Sequence, residues 1–224
     1  MGFLAIVFAP VFLLLFYFYI RDKYEKEPLQ RVFLTFIIGM VMAIPIVVFE
    51  ILTASLVGGE GKGIFASFKY AFFVAGSVEE FFKFLVVILT IYFSKHFNEP
   101  YDGIVYTVAA SLGFATVEDL MYVIALGTLV GIFRAFTAIP AHAFFGAIMG
   151  FFIGKAKFSR IGLKITYILS GLLIAILFHG TYDFFILTGN GMIWLVFPLL
   201  IVMGALSYLF TILAKQVSPF KKMP

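Results

Sequence analysis

The sequence predicts an all-α fold, a polytopic bundle of membrane-spanning helices, and three observations carry that prediction. Of the 224 residues, 63% are hydrophobic and only 12% are charged. Mean hydropathy is +1.11. An average globular chain carries about 25% charged residues, and a soluble fold of this size could not hide so much apolar surface. The third observation is that the apolar residues fall into runs of about 20, the length that crosses a hydrocarbon core of about 30 Å. Seven runs occur, at 2–20, 32–57, 64–93, 104–126, 135–154, 165–187 and 192–214. Helices in lipid pack as one bundle, so a single domain, 1–224, is expected with the lipid bilayer as its main partner.

The first run lacks a basic leader and a small-residue cleavage site, so it reads as a retained span. The second and fourth runs follow Glu27-Pro28 and Asn98-Glu99-Pro100. Proline suits a helix start, because the N–H it lacks would be unpaired there anyway. The third run is too long for one straight span. Its first part, up to Lys69, fits either the same span or a separate surface or re-entrant helix, so the count is seven transmembrane helices or eight. The fifth run carries Gly146-x-x-x-Gly150-x-x-x-Gly154, a packing stripe. The sixth and seventh are uninterrupted spans apart from the polar residues discussed below.

Charge orients the bundle. The net charge is +4 and the pI about 9.2, but the cations cluster in loops, which indicates membrane topology and no nucleic-acid partner. Arg21, Lys23, Lys26 and Arg31 precede the second run, Lys95 follows the third, and Lys155, Lys157, Arg160 and Lys164 follow the fifth. Lys215, Lys221 and Lys222 mark the tail. With seven spans these share one side, while the other side holds Lys62 and Arg134, with Lys69 near its boundary. The positive-inside rule then puts the N-terminus outside and the C-terminus in the cytoplasm. With no cysteine there is neither a thiolate nucleophile nor a Cys metal ligand.

Half of the twelve carboxylates lie inside apolar runs: Glu50, Glu79, Glu80, Glu118, Asp119 and Asp183. Lys83, His142 and His179 join them. Ionisable groups in lipid cost a few kcal/mol each, so they mark partners or function. Glu50, Glu79, Glu118, His142 and His179 sit seven to nine residues from the outer ends taken at Val57, Tyr70, Leu126, Ala135 and Leu187. That is about 10–14 Å deep at the helical rise. Their faces also agree, since Ala71-Ala75-Glu79-Lys83, His142-Gly146-Gly150-Gly154 and Gly171-Ala175-His179-Asp183 each extend a small-residue stripe at i+4 spacing. The layer should therefore lie inside the bundle. Taken singly, Glu79 and Lys83 also fit a structural ion pair, and each histidine also fits interhelical hydrogen bonding.

Carboxylates and imidazoles in a low-dielectric site can activate water as a general base with oxyanion donors, or hold a divalent metal. No His-Glu-x-x-His motif or serine-nucleophile motif is present. A proton-coupled transporter or ion pathway would use similar groups. Its hallmark, an inverted repeat with two broken helices, is not found. A third reading treats the layer as interhelical glue alone.

The stretch Ser77-Val78-Glu79-Glu80-Phe81-Phe82-Lys83 resembles the Glu-Glu-x-x-Lys motif of the PrsW intramembrane proteases. The stretches 100–106, 113–118 (ending in Glu118) and His179-Gly180-Thr181-Tyr182-Asp183 resemble that family's other signatures in order, and the loop 19–28 joins them. Asp119 stands where relatives carry Asn. The resemblance implies a bacterial plasma-membrane endopeptidase that makes the first cut, at site 1, in a single-span anti-sigma factor on its extracytoplasmic side. A site-2 protease would then complete release of the sigma factor. The family is similar to the CAAX prenyl endopeptidases, whose pattern is Glu-Glu, a His on another helix and His-x-x-x-Asn. Carried over, Glu79 is the base that activates water and Glu80 its neighbour. His142 is the second-helix histidine, and His179 stabilises the oxyanion. Asp183 occupies the Asn position, where an ionised carboxylate cannot donate, so it is expected to orient His179. Lys83 tunes the charge and Glu118 supports the site. The chemistry is expected either without a metal or with a divalent ion such as zinc on His142, His179 and Glu79.

Overall fold

The structure, a computed structural model, describes residues 2–57 and 63–221. Lys62 and Lys222 of the charge pattern lie outside the described residues. The chain is helical throughout, with no strand among the described residues. Helix α1 spans Gly2–Ile20 and α2 Leu29–Val57. The helix α3, Ile64–Lys69, runs through a π-helical stretch, Tyr70–Gly76, into α4, Ser77–Thr90. Then come α5, Pro100–Leu126, α6, Thr128–Phe136, and α7, Ala138–Lys157. The chain ends in α8, Ile161–Thr188, a 3-10 turn at Met192–Leu195 and α9, Val196–Gln216.

Among the described residues, five stretches are long and apolar enough to cross a membrane: 29–57, 100–126, 128–157, 161–188 and 192–216. A shorter apolar helix covers Leu4–Ile20. The segment up to Lys69, for which the sequence allows two readings, continues through the π-helical stretch into α4. One expectation is corrected. The fifth run does not begin a helix at Ala135, which lies inside α6. The break falls at Thr137, whose φ of −125° and ψ of −65° leave the helical region. Pro140 explains it: proline cannot donate to the Phe136 carbonyl, and its ring would clash there in a continuous helix.

At the centre stands α5, packed against α7, α2 and α1. Every residue from Pro100 to Thr116 is buried. The seam with α7 closes to backbone contact, since a Cβ on Gly150 would collide with the Gly103 carbonyl oxygen. The Gly146-Gly150-Gly154 stripe is thus spent on α5, as small residues in lipid permit. Helix α8 buries Gly171, Ala175 and His179 and turns Leu169, Leu173 and Leu177 outward. That is the inverted arrangement expected of a helix facing lipid.

Pro100 begins α5 behind the N-cap Glu99, as its position in the sequence predicts. The loop between α1 and α2 folds against this start. Its Glu27 is buried and accepts a hydrogen bond from the Tyr106 hydroxyl. The Tyr19 hydroxyl donates to the Glu27 carbonyl at 3.1 Å. Burial pushes the Asp22 carboxyl up to about 9 and that of Glu27 to about 7.

Candidate active site

The polar layer converges on one helix turn of α4. Glu79 and Glu80 lie in its first turn, with Lys83 one turn on. The Lys83 ammonium donates to Glu79 Oε2 at 3.0 Å, Glu80 Oε1 at 2.8 Å and His142 Nδ1 at 3.0 Å. Because His142 Nδ1 accepts from an ammonium, its Nε2 carries the proton and donates to Glu118 Oε2 at 2.9 Å. His179 Nδ1 donates to Glu80 Oε1 at 2.8 Å. Its Nε2 faces Asp183 Oδ2 at 3.3 Å and Glu79 Oε2 at 3.8 Å.

Aromatic rings hold the imidazoles. Phe145 stacks on His179 with centroids 4.8 Å apart and planes 14° from parallel. The two histidines meet edge to face at 5.3 Å. Glu79, Glu80, Lys83, His142 and His179 are each at most 4% exposed. Around charges this dry, effective dielectric is low and each hydrogen bond is strengthened. An ion pair in such a place costs stability to assemble unless every member is matched.

Beside the cluster lies a cavity of about 480 Å³, lined by residues of α2, α5, α6 and α8 and by Glu79, Glu118, Asp183, Glu50 and Arg134. Of the two adjacent glutamates, Glu79 is on its wall, and Glu80 is wholly buried. Glu118 and His179 lie eight and nine residues from the observed ends of α5 and α8, the spacing counted in the sequence. It shifts for His142, four residues into α7, because that helix begins at Ala138.

Sequence reasoning placed Arg134 on the outer side and gave it no part in the site. It lies on α6, pairs with Glu118 Oε2 at 2.8 Å and donates from Nε to Asp119 Oδ1 at 2.5 Å. Its guanidinium covers the Tyr122 ring at 3.9 Å. A carboxylate pair followed 15 residues later by a lone arginine in apolar sequence was the available signal. Phe145 carried none.

Glu79, Glu80, His142 and His179 each offer a ligand atom, all within 4.8 Å of one another. Ligands on a tetrahedral zinc lie about 3.3–3.6 Å apart, given bonds of about 2.0–2.2 Å, so modest contraction suffices. Glu80 Oε2 is buried without a hydrogen-bond partner, an acceptor that a cation would satisfy. The donor set fits a divalent metal, provided the Lys83 ammonium, which now bridges three of the four residues, swings aside.

A buried charge network beside a cavity within a membrane bundle suits a transporter as well as a protease, and comparison with known proteins decides: the class of this multi-pass protein is intramembrane protease. The chain belongs to the PrsW family of intramembrane metalloproteases, whose family model matches residues 27–211. It is 37% identical over 194 residues to Protease PrsW of Bacillus subtilis (strain 168), covering 86% of each chain. Protease PrsW of Geobacillus kaustophilus (strain HTA426) is 41% identical over 180 residues, covering 80% of this chain and 77% of the relative. Protease PrsW of Shouchella clausii (strain KSM-K16) is 34% identical over 201 residues, covering 89% and 90%. No solved structure matches the chain. Membership in a protease family argues against the transporter alternative.

Proposed function

We propose that the chain makes the first, site-1 cut in a single-span, membrane-anchored anti-sigma factor, on the extracytoplasmic side of a bacterial plasma membrane. A site-2 protease would act on the product. The observation that carries the chemical part is that Glu79 alone of the four clustered donors lines the cavity. Its carboxylate takes a proton from water as the water attacks the peptide carbonyl. His179, next to Glu79 and held by Phe145, Glu80 and Asp183, donates to the developing oxyanion. His142, whose Nε2–H is committed to Glu118, supports the site from its far side. Lys83 balances the two glutamates.

Glu80, His142 and His179 would hold a divalent ion, which when bound supplies Lewis acidity toward the scissile carbonyl. Topology agrees with the assignment. With the N-terminus outside and the C-terminus cytoplasmic, the cavity opens toward the extracytoplasmic end of α5 and α8.

The test is cleavage of a single-span anti-sigma factor by purified protein in liposomes. Glu79→Gln should lower the rate by about 10²–10⁴-fold in protein that still folds, and retained cleavage would refute the base assignment. Stoichiometric metal, lost to a chelator together with activity and restored by one ion, would establish the metal form. Chelator-insensitive cleavage would leave Glu79 acting alone.

A further inference from the structure

At the opposite end of α5 lies a second polar cluster that the proposed chemistry leaves unused. Asp22, Glu25 and Glu27 come from the loop between α1 and α2, and Glu99 and Asp102 from the start of α5. Oxygens of Asp22, Glu99 and Asp102 lie within 4.8 Å of one another, and those of Glu25, Glu27 and Asp102 do likewise. Asp102 joins the two triads. Asp22, Glu99 and Asp102 are wholly buried, and Glu27 is 1% exposed.

No Lys, Arg or His among the described residues forms a salt bridge with any of the five. The neighbouring cations turn elsewhere, Arg21 onto the Tyr208 ring at 4.8 Å and Lys215 toward the Tyr101 ring at 5.7 Å. Part of the cluster is spent locally. Asp102 Oδ2 accepts the backbone amides of Asn98 and Glu99 at 2.7 and 2.8 Å, and Glu27 Oε2 accepts the Tyr106 hydroxyl. Asp22 is different: it is directed at Glu99 and Asp102, and neither of its oxygens has a hydrogen-bond partner. Glu27 Oε1 and Asp102 Oδ1 are also unpartnered.

A buried carboxylate with no donor and no countercharge is unfavourable, and removing water from it costs several kcal/mol. Either a proton or a bound cation must neutralise the group, and the convergence of several unpartnered oxygens favours the cation. The donors here are all carboxylate oxygens, without the nitrogen or sulfur that soft or borderline metals prefer, and such sets suit hard cations. We propose that Asp22, Glu99 and Asp102 form a binding site for a hard divalent cation of the Ca²⁺ or Mg²⁺ class, with Glu25 and Glu27 adding negative charge around it. The ion ties the first loop of the chain to the N-terminus of the central helix. The site is separate from the Glu79 cluster: Asp102 and Glu118 are sixteen residues apart on α5, about 24 Å of helix.

The experiment uses the full chain in lipid nanodiscs, stripped with a chelator and titrated with Ca²⁺ or Mg²⁺. Melting midpoint and calorimetric heat are both followed. Wild type should show a saturable rise in midpoint and one-site heat, and Glu79→Gln should match it. Asp22→Asn and Glu99→Gln should weaken binding by about tenfold or more, since affinity follows ligand charge. The proposal is overturned if neither ion binds wild type saturably, which would mean that protons neutralise the cluster. It is equally overturned if Glu79→Gln abolishes binding, or if both loop variants bind as wild type does. A variant that fails to fold leaves the other variant and the wild-type titration to decide.

Discussion

Arg134 holds Glu118 and Asp119 with one guanidinium, and Glu118 in turn holds His142. It acts on the site through another residue, so it is a positioning residue. Arg134→Gln should slow cleavage by about 10–100-fold, the usual cost of losing an outer partner of a metal-ligating or catalytic imidazole. Asp119→Asn leaves the Arg134–Glu118 bond in place and should slow it less. Rates for the two variants on one substrate check the order, and a larger loss in Asp119→Asn would contradict it. Glu79, Glu80, Lys83, His142, His179 and Asp183 were all legible in the sequence, because ionisable groups in lipid must find one another and helical spacing says which faces they share. Arg134 was hidden. Its reach depends on the turn at Gly127, with φ of 92°, and on the break at Thr137, and local tertiary geometry of that kind leaves little periodic trace.

Among elements, the α5–α7 seam sets the frame that carries Glu118 and His142. At Gly150 a methyl would meet the Gly103 carbonyl oxygen, and backbone cannot step aside as a flexible side chain can. Gly150→Ala should therefore destabilise the protein by about 1–3 kcal/mol, the cost of overpacking. Gly162→Ala, in the first turn of α8 with open space around it, should be stabilising by up to about 1 kcal/mol. Thermal midpoints of the two variants in one detergent test the contrast. The glycine stripe announced this seam in the sequence but not its partner. Three apolar helices offered small residues, and only packing assigns α7 to α5. The helix count was less legible still, because hydropathy does not register the end of α5 or the kink that Pro140 forces.

For the whole molecule, the absence of cysteine makes every introduced thiol unique. Thiol-labelling of Ser159→Cys, between α7 and α8, should occur only from the cytoplasmic side of intact cells, and of Thr128→Cys, at the start of α6, only from outside. The reverse pattern would invert the topology derived from the basic loops. The π-helical stretch Tyr70–Gly76 has a wider meaning at this scale. A π turn houses more residues per turn than an α turn, so the number of residues between Lys69 and Ser77 sets the rotation at which α4 emerges. Each residue removed from an α-helix rotates the downstream part of that helix by about 100°. A single deletion there would swing Glu79 and Glu80 away from both histidines while leaving every side chain of the site intact. The aim of the glutamate pair is thus written in chain length upstream, where a comparison of side chains alone would never look for it.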